Sequence, residues 1–152
     1  MAGRERLLPK RIVSALDTGK FVWIRAGTNH RFIGIWVVVV DGRAFVRSWS
    51  LAPRSWYRTF VEKPHGAIKL EKDGREVSIR AVPVKGKRLN DAISEAYLAK
   101  YNTRASLPYA KDLGSAKSRG ATMELRPESK VGARTRSPSR AGVSRRRKPE
   151  DV

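Results

Sequence analysis

Runs of apolar and polar positions divide this chain into elements. The stretch from Lys20 to Ala26 is dominated by β-branched and aromatic residues and predicts a strand. Gly27 to Arg31 reads as a loop, and Phe32 to Val40 as a second strand. From Ile35 to Val40 the strand is apolar without alternation, so both faces need cover: a barrel interior on one side, a helix or partner subunit on the other. Asp41-Gly42 suits a two-residue hairpin turn, in which both positions take φ > 0. That turn sets Val40 opposite Arg43, Val38 opposite Phe45, Trp36 opposite Arg47 and Gly34 opposite Trp49. The last pair lets an aromatic ring cover a strand glycine, and Trp36 with Arg47 allows a cation–π contact.

Residues 1–17 predict a short N-terminal helix, with Pro9 at its first position and Ile12, Val13 and Leu16 on one face. That face packs on the rest of the domain or, as the alternative, lies on a membrane surface. Pro53 to Lys63 predicts a second helix with an apolar stripe of Trp56, Tyr57, Phe60 and Val61, ended by Pro64. A second hairpin is centred on Asp73-Gly74, with Leu70 opposite Val77, Ile68 opposite Ile79 and Lys69 opposite Ser78. Its return strand runs to Val84, with Pro83 at an edge or bulge. Lys87 to Tyr101 predicts a helix with Asn90 or Asp91 as N-cap and a stripe of Leu89, Ile93, Ala96, Tyr97 and Tyr101. A polar loop then leads to a strand from Ala121 to Arg126. Clustered hairpins with intervening helices predict an α+β barrel.

From Pro127 the pattern stops. Residues 128–152 hold only Val131 and Val143 as large aliphatics before Val152, too little apolar surface to offset ordering, and a disordered basic tail is expected. The domain is therefore placed at residues 1–127. Eight basic and three acidic residues give the tail a net +5, so +14 of the formal +19 belongs to the domain itself. Such a charge favours anionic partners: nucleotides, nucleic acid or acidic lipid. There is no cysteine, which excludes disulfides, thiolate metal sites and cysteine nucleophiles. No apolar run approaches a membrane span, and Arg4, Glu5, Arg6, Pro9 and Lys10 interrupt any signal-peptide core, so a cytoplasmic location is expected.

The catalytic inventory is thin. His30 and His65 are the only histidines, too isolated to build a zinc site, and no metal is expected. No Gly-x-Ser-x-Gly elbow, P-loop or dinucleotide fingerprint is present. Any enzymatic activity would rest on a bound cofactor. One cluster fits that. Arg25, Arg31, Arg47, Ser48 and Arg58 lie at strand ends or helix starts around the first hairpin, where guanidinium groups beside a helix N-terminus can seat a phosphate. Trp49, Trp56 and Tyr57 can wall a planar ring, although Trp56 and Tyr57 fit the buried helix stripe as well. A single arginine in so basic a chain equally fits a solvated surface charge. His30 fits an exposed loop position and His65 a helix-to-strand turn.

The segment Trp36 to Gly42, with Val46-Arg47-Ser48 and Trp56-Tyr57-Arg58, resembles an uncharacterised bacterial family, a domain of unknown function. Asn90 to Ile93, Ala96 to Tyr101 and Ala121 to Pro127 continue the match over roughly residues 20–127. More distantly, the order of elements is similar to the FMN-binding split-barrel superfamily, including deazaflavin-dependent nitroreductases and pyridoxamine-phosphate-oxidase-like proteins. That resemblance implies a six-stranded split β-barrel with flanking helices, a homodimer, and FMN or a deazaflavin at the subunit interface. Carried over, cofactor contact falls on Arg47 and Ser48, with Trp56 and Tyr57 nearby, and the implied activity is that of a flavin- or deazaflavin-dependent oxidoreductase. Two other classes compete with it. A small basic β-domain that binds nucleic acid, or whose Arg145-Arg146-Arg147-Lys148 run does so nonspecifically, accounts for the charge. A cofactor-free structural or partner-binding barrel accounts for the thin inventory.

Overall fold

In the computed structural model, residues 7–28, 30–48 and 55–128 are described. Of the tail expected to be disordered over residues 128–152, Glu128 is described, its N–H donating to Ser78 O at 3.3 Å. The rest of the tail lies outside the described residues, as does the placement of Trp49 and Pro53. Helix α1 (Lys10–Thr18) follows Pro9 and buries Ile12 and Leu16. Then come β1 (Phe21–Ala26), β2 (Ile33–Trp36), β3 (Val38–Val40), β4 (Arg43–Arg47), α2 (Trp56–Glu62), β5 (His65–Lys69) and β6 (Val77–Pro83). The chain continues through α3 (Lys87–Lys100), α4 (Leu107–Asp112), α5 (Ala116–Arg119) and β7 (Thr122–Pro127). The strands form one antiparallel sheet in the order β2-β1-β5-β6-β7-β4-β3. Because β2 and β3 are separated only by Val37, the two ends of this order meet, and the sheet is a nearly closed barrel.

The expected six strands become seven because the second one breaks at Val37. Its backbone leaves the ladder and is satisfied from outside the sheet. The Val37 N–H donates to the Tyr101 hydroxyl at 3.1 Å, and its carbonyl accepts from Lys100 Nζ at 2.8 Å. The break re-aims the strand, so that β2 pairs with β1 and β3 with β4. The Asp41-Gly42 turn is as expected, with φ of 53° and 75°, and Val38–Phe45 and Val40–Arg43 are paired. Beyond Val37 the expected register fails. Trp36 pairs with Phe21, and Gly34 with Trp23, whose ring covers the glycine.

The second hairpin also differs. Ile68 pairs with Val77, a shift of two residues, because the β-turn closed by Gly74 N–H to Glu71 O is centred on Lys72-Asp73 instead of Asp73-Gly74. A two-residue shift leaves every side chain on its original face, so the apolar pattern does not distinguish the two registers. Helix α2 starts at Trp56 with Ser55 as its cap, the hydroxyl accepting from Arg58 N–H. Helix α3 is capped by Gly86, not by Asn90 or Asp91, which lie inside its first turns. The loop expected after Tyr101 contains α4 and α5, opened by Pro108 in the first turn and by the Ser115 cap.

Two cores result. The barrel interior holds Val22, Ile24, Val37, Val46, Ile68, Ile79 and Leu125, plugged by Leu8, Ile12 and Leu16 with α1 and by Phe60 of α2. The second lies outside the sheet, where Ile93, Tyr97 and Tyr101 pack on Val38 and Phe45. Alternate residues of Ile35 to Val40 thus serve the two cores, which explains the unbroken apolar run. Among the described residues no helix is long and apolar enough to cross a membrane.

Candidate functional site

Strand alternation turns Phe45 and Arg47 toward α3. Arg47 is 3% exposed, and each of its five N–H donors meets an acceptor. Nε donates to Thr122 Oγ1 at 2.7 Å. One terminal nitrogen donates to Ser94 Oγ at 2.7 Å and Leu113 O at 3.0 Å. The other donates to Asn90 O at 2.8 Å and Asn90 Oδ1 at 3.1 Å. The guanidinium also lies 5.8 Å from the Tyr97 ring centroid. Burial lowers its pKa to about 10, so it stays charged at neutral pH. Arg47 therefore ties β4 to β7, to α3 and to the end of α4.

Beside this node is a cleft of about 370 Å³ lined chiefly by Tyr57, Lys85, Lys87, Asn90, Arg119 and Gly120. Two contacts assemble it. Ser48 N–H donates to Ala121 O at 3.1 Å, and the Tyr57 hydroxyl donates to Gly120 O at 3.1 Å, which draws α2 to the junction of α5 and β7. Asp91 binds Lys87 at 3.0 Å and Arg119 at 2.5 Å. The hydrogen bonds from Lys87 and then Arg119 hold its carboxyl below the usual range. One carboxylate thus balances two cations, and Lys85 has no acidic partner among the described residues. The cleft is positive, with an aromatic ring at one wall.

The eight residues singled out in the sequence separate in space. Arg47, Ser48 and Tyr57 gather around residues 119–122. Arg25, Arg31 and Trp56 line a second, smaller cleft of about 190 Å³ with Ile24, His30 and Ile33. Arg25 is paired with Glu76, outside that cleft, at 3.0 Å and lies 4.6 Å from the Phe32 ring centroid. Trp56 is half-buried, edge-on to Phe60. Arg58 is exposed on α2, and Trp49 lies outside the described residues. Lys85, Lys87 and Arg119 were not legible as site residues. Their one sequence signal was the pair Asn90-Asp91, which marked the start of α3 for a different reason. Among the described residues no group of three or more His, Cys, Asp or Glu is placed to hold a metal ion.

Fold and cleft together define a small antiparallel split barrel with flanking helices. The chain belongs to the bacterial family DUF2255, described as an uncharacterized protein conserved in bacteria, whose model matches residues 22–125. No curated protein matches it. Among solved structures it is similar to the conserved hypothetical protein Rv2991 from Mycobacterium tuberculosis, at 16% identity and a TM-score of 0.52, over 80% of this chain and 81% of that one. That likeness shows the fold alone. A putative pyridoxamine 5'-phosphate oxidase from Listeria innocua is similar at 13% identity and a TM-score of 0.49, over 78% and 92% of the two chains.

Proposed function

We propose that this chain binds a planar, phosphate-bearing cofactor, FMN or a deazaflavin, in the Tyr57–Lys85–Lys87–Arg119 cleft. The observation that carries this reading is the convergence of three cations and one aromatic ring in a space of about 370 Å³, within the range of small-molecule sites. Lys87 and Arg119 would hold the phosphate as charge-assisted donors, with Lys85 free to close on it. The Tyr57 ring would flank the planar system. Arg47 and Ser48, named from the sequence as cofactor contacts, act in this reading from behind, since Arg47 fixes Asn90 and Ser48 fixes Ala121. Arg25, Arg31, Trp56 and Arg58 are assigned to the outer end of the ligand only if it extends past α2. A bound flavin or deazaflavin would supply hydride or electron transfer, and the chain would supply binding and orientation. The same reading takes the protein as a homodimer, which sedimentation of the full chain checks.

The test is a fluorescence titration of the full chain with FMN, riboflavin and a deazaflavin cofactor. Exposed Lys85 and Lys87 can be changed without touching a core. Replacing both by alanine is expected to weaken FMN about tenfold or more, from the loss of charge-assisted bonds, and to leave riboflavin unchanged. Absence of saturable binding, or equal FMN affinity in the double variant, rejects the site.

A further inference from the structure

The outer surface of the barrel is covered unequally. Helix α3 lies over Val38 and Phe45 and ends at Tyr101, whose ring stacks on Trp36 at 3.9 Å between centroids. The outward side of β1 and β5 is different. Strand alternation buries Val22, Ile24 and Ala26 and turns Phe21, Trp23 and Arg25 outward. The register sets Lys69 beside Trp23 and extends the same face to Ser78 and Arg80 of β6, both exposed. Phe21 is 41% exposed, and its ring centroid is 6.2 Å from that of Trp23.

Cations sit among these rings. Lys20 Nζ is 5.6 Å from the Phe21 centroid, and Lys69 Nζ and Arg25 flank Phe32 at 4.4 and 4.6 Å. The face also holds Glu76 and Glu128, but these are engaged by Arg25 at 3.0 Å and His65 at 2.8 Å. Lys20, Lys69 and Arg80 have no carboxylate partner among the described residues and leave the face a net positive charge. A second copy on this face would set Lys20, Lys69 and Arg80 against like charges. A polyanion meets the opposite condition. Outward aromatic rings two positions apart on a strand, edged by cations, offer stacking to unpaired bases and neutralisation to their phosphates. A duplex keeps its base faces inside the stack and cannot use the rings.

We propose that the β1–β5–β6 face binds single-stranded nucleic acid, its bases stacking on Phe21 and Trp23 and its phosphates running along Lys20, Lys69 and Arg80. The face is separate from the Tyr57 cleft and independent of any cofactor. The experiment measures anisotropy of labelled oligothymidylate and oligouridylate with the full chain across salt, alongside a duplex of equal length. Phe21→Ala and Lys69→Glu, both checked for fold by circular dichroism, are each expected to weaken single-strand binding about tenfold. Lys69→Glu is further expected to flatten the salt slope by about 0.7, one phosphate contact on a single strand. Both effects persist when Arg145, Arg146 and Arg147 are replaced by alanine, and FMN affinity does not change. Two results overturn the proposal. One is binding that ignores Phe21→Ala and Lys69→Glu but collapses in the tail variant. The other is a dimer in sedimentation that Phe21→Ala splits without altering oligonucleotide affinity.

Discussion

Arg47 shows how much one residue can organise when its donors are all used. Its five acceptors lie between 43 and 75 positions away in sequence. Removing the side chain leaves Asn90, Leu113, Ser94 and Thr122 with buried polar atoms that lose a partner, and opens a cavity beneath Tyr97. Arg47→Ala is expected to destabilise the chain by about 3–5 kcal/mol, read as a shift in the urea midpoint at constant slope. Lysine cannot reproduce the fork and is expected to recover only part of this. Glu124 is the complementary case. Burial alone would raise its pKa, but hydrogen bonds from Arg43 at 2.8 and 3.1 Å and from Arg126 at 2.9 Å outweigh it and hold the carboxyl below its usual range. Neither residue's role was legible locally. An arginine or glutamate in a strand reads as outward and solvated until a helix or neighbouring strand is laid over it.

At the scale of elements, the joint at Val37 decides the barrel. The Tyr101 hydroxyl accepts from Val37 N–H and donates to Lys20 O at 2.6 Å, so one atom pins α3's end to the break and to the start of β1. Tyr101→Phe keeps the ring stack on Trp36 but orphans a buried N–H. The expected cost is about 1–3 kcal/mol, with amide exchange at Val37 accelerating more than at Val22 or Ile24. The elements themselves were largely legible, because 3.6- and 2-residue periods appear in short windows. Helices α1, α2 and α3 and the Asp41-Gly42 hairpin show this. Strand pairing at the joint and in the β5–β6 hairpin was not, since the one depends on what lies over the strands and the other on which two residues take the turn.

For the molecule as a whole, Lys100 links the parts. Its ammonium donates to Leu16 O at 2.7 Å and Val37 O at 2.8 Å, joining α1, the β2–β3 break and α3. Burial lowers its pKa to about 8 from 10.5, with Asp17 opposing weakly. Below about pH 8 the group is charged in both states and folding bears the full cost of burying it. Between about 8 and 10.5 the unfolded chain binds more protons, so this residue's contribution to stability rises with pH. Above pH 10 burial of Tyr101, pushed up to about 12, and of Tyr97, pushed higher, works the other way, because the unfolded tyrosines lose protons that the folded ones keep. Stability is therefore expected to increase from about pH 8 toward 10, by on the order of 1 kcal/mol. Urea midpoints at about pH 7.5 and 9.5 check it, and Lys100→Met should remove the rise. An unchanged slope in that variant would assign the effect elsewhere.

By itself the sequence determined the places of α1, α2, α3 and most strands, though not those of α4 and α5. It also determined the tight turn at Asp41-Gly42, the two-sided burial of Ile35 to Val40 and the excess of positive charge. Each of these follows from neighbours within a few positions, where backbone geometry and side-chain period act directly. The tertiary structure alone decided that Val37 breaks a strand, that Arg47 is consumed inside the chain, and that Tyr57 meets Lys85, Lys87 and Arg119. Those outcomes depend on groups from distant segments meeting in space. Hydrogen bonds and burial at such meetings are set by which elements pack together, and the local pattern of the chain carries no record of that choice.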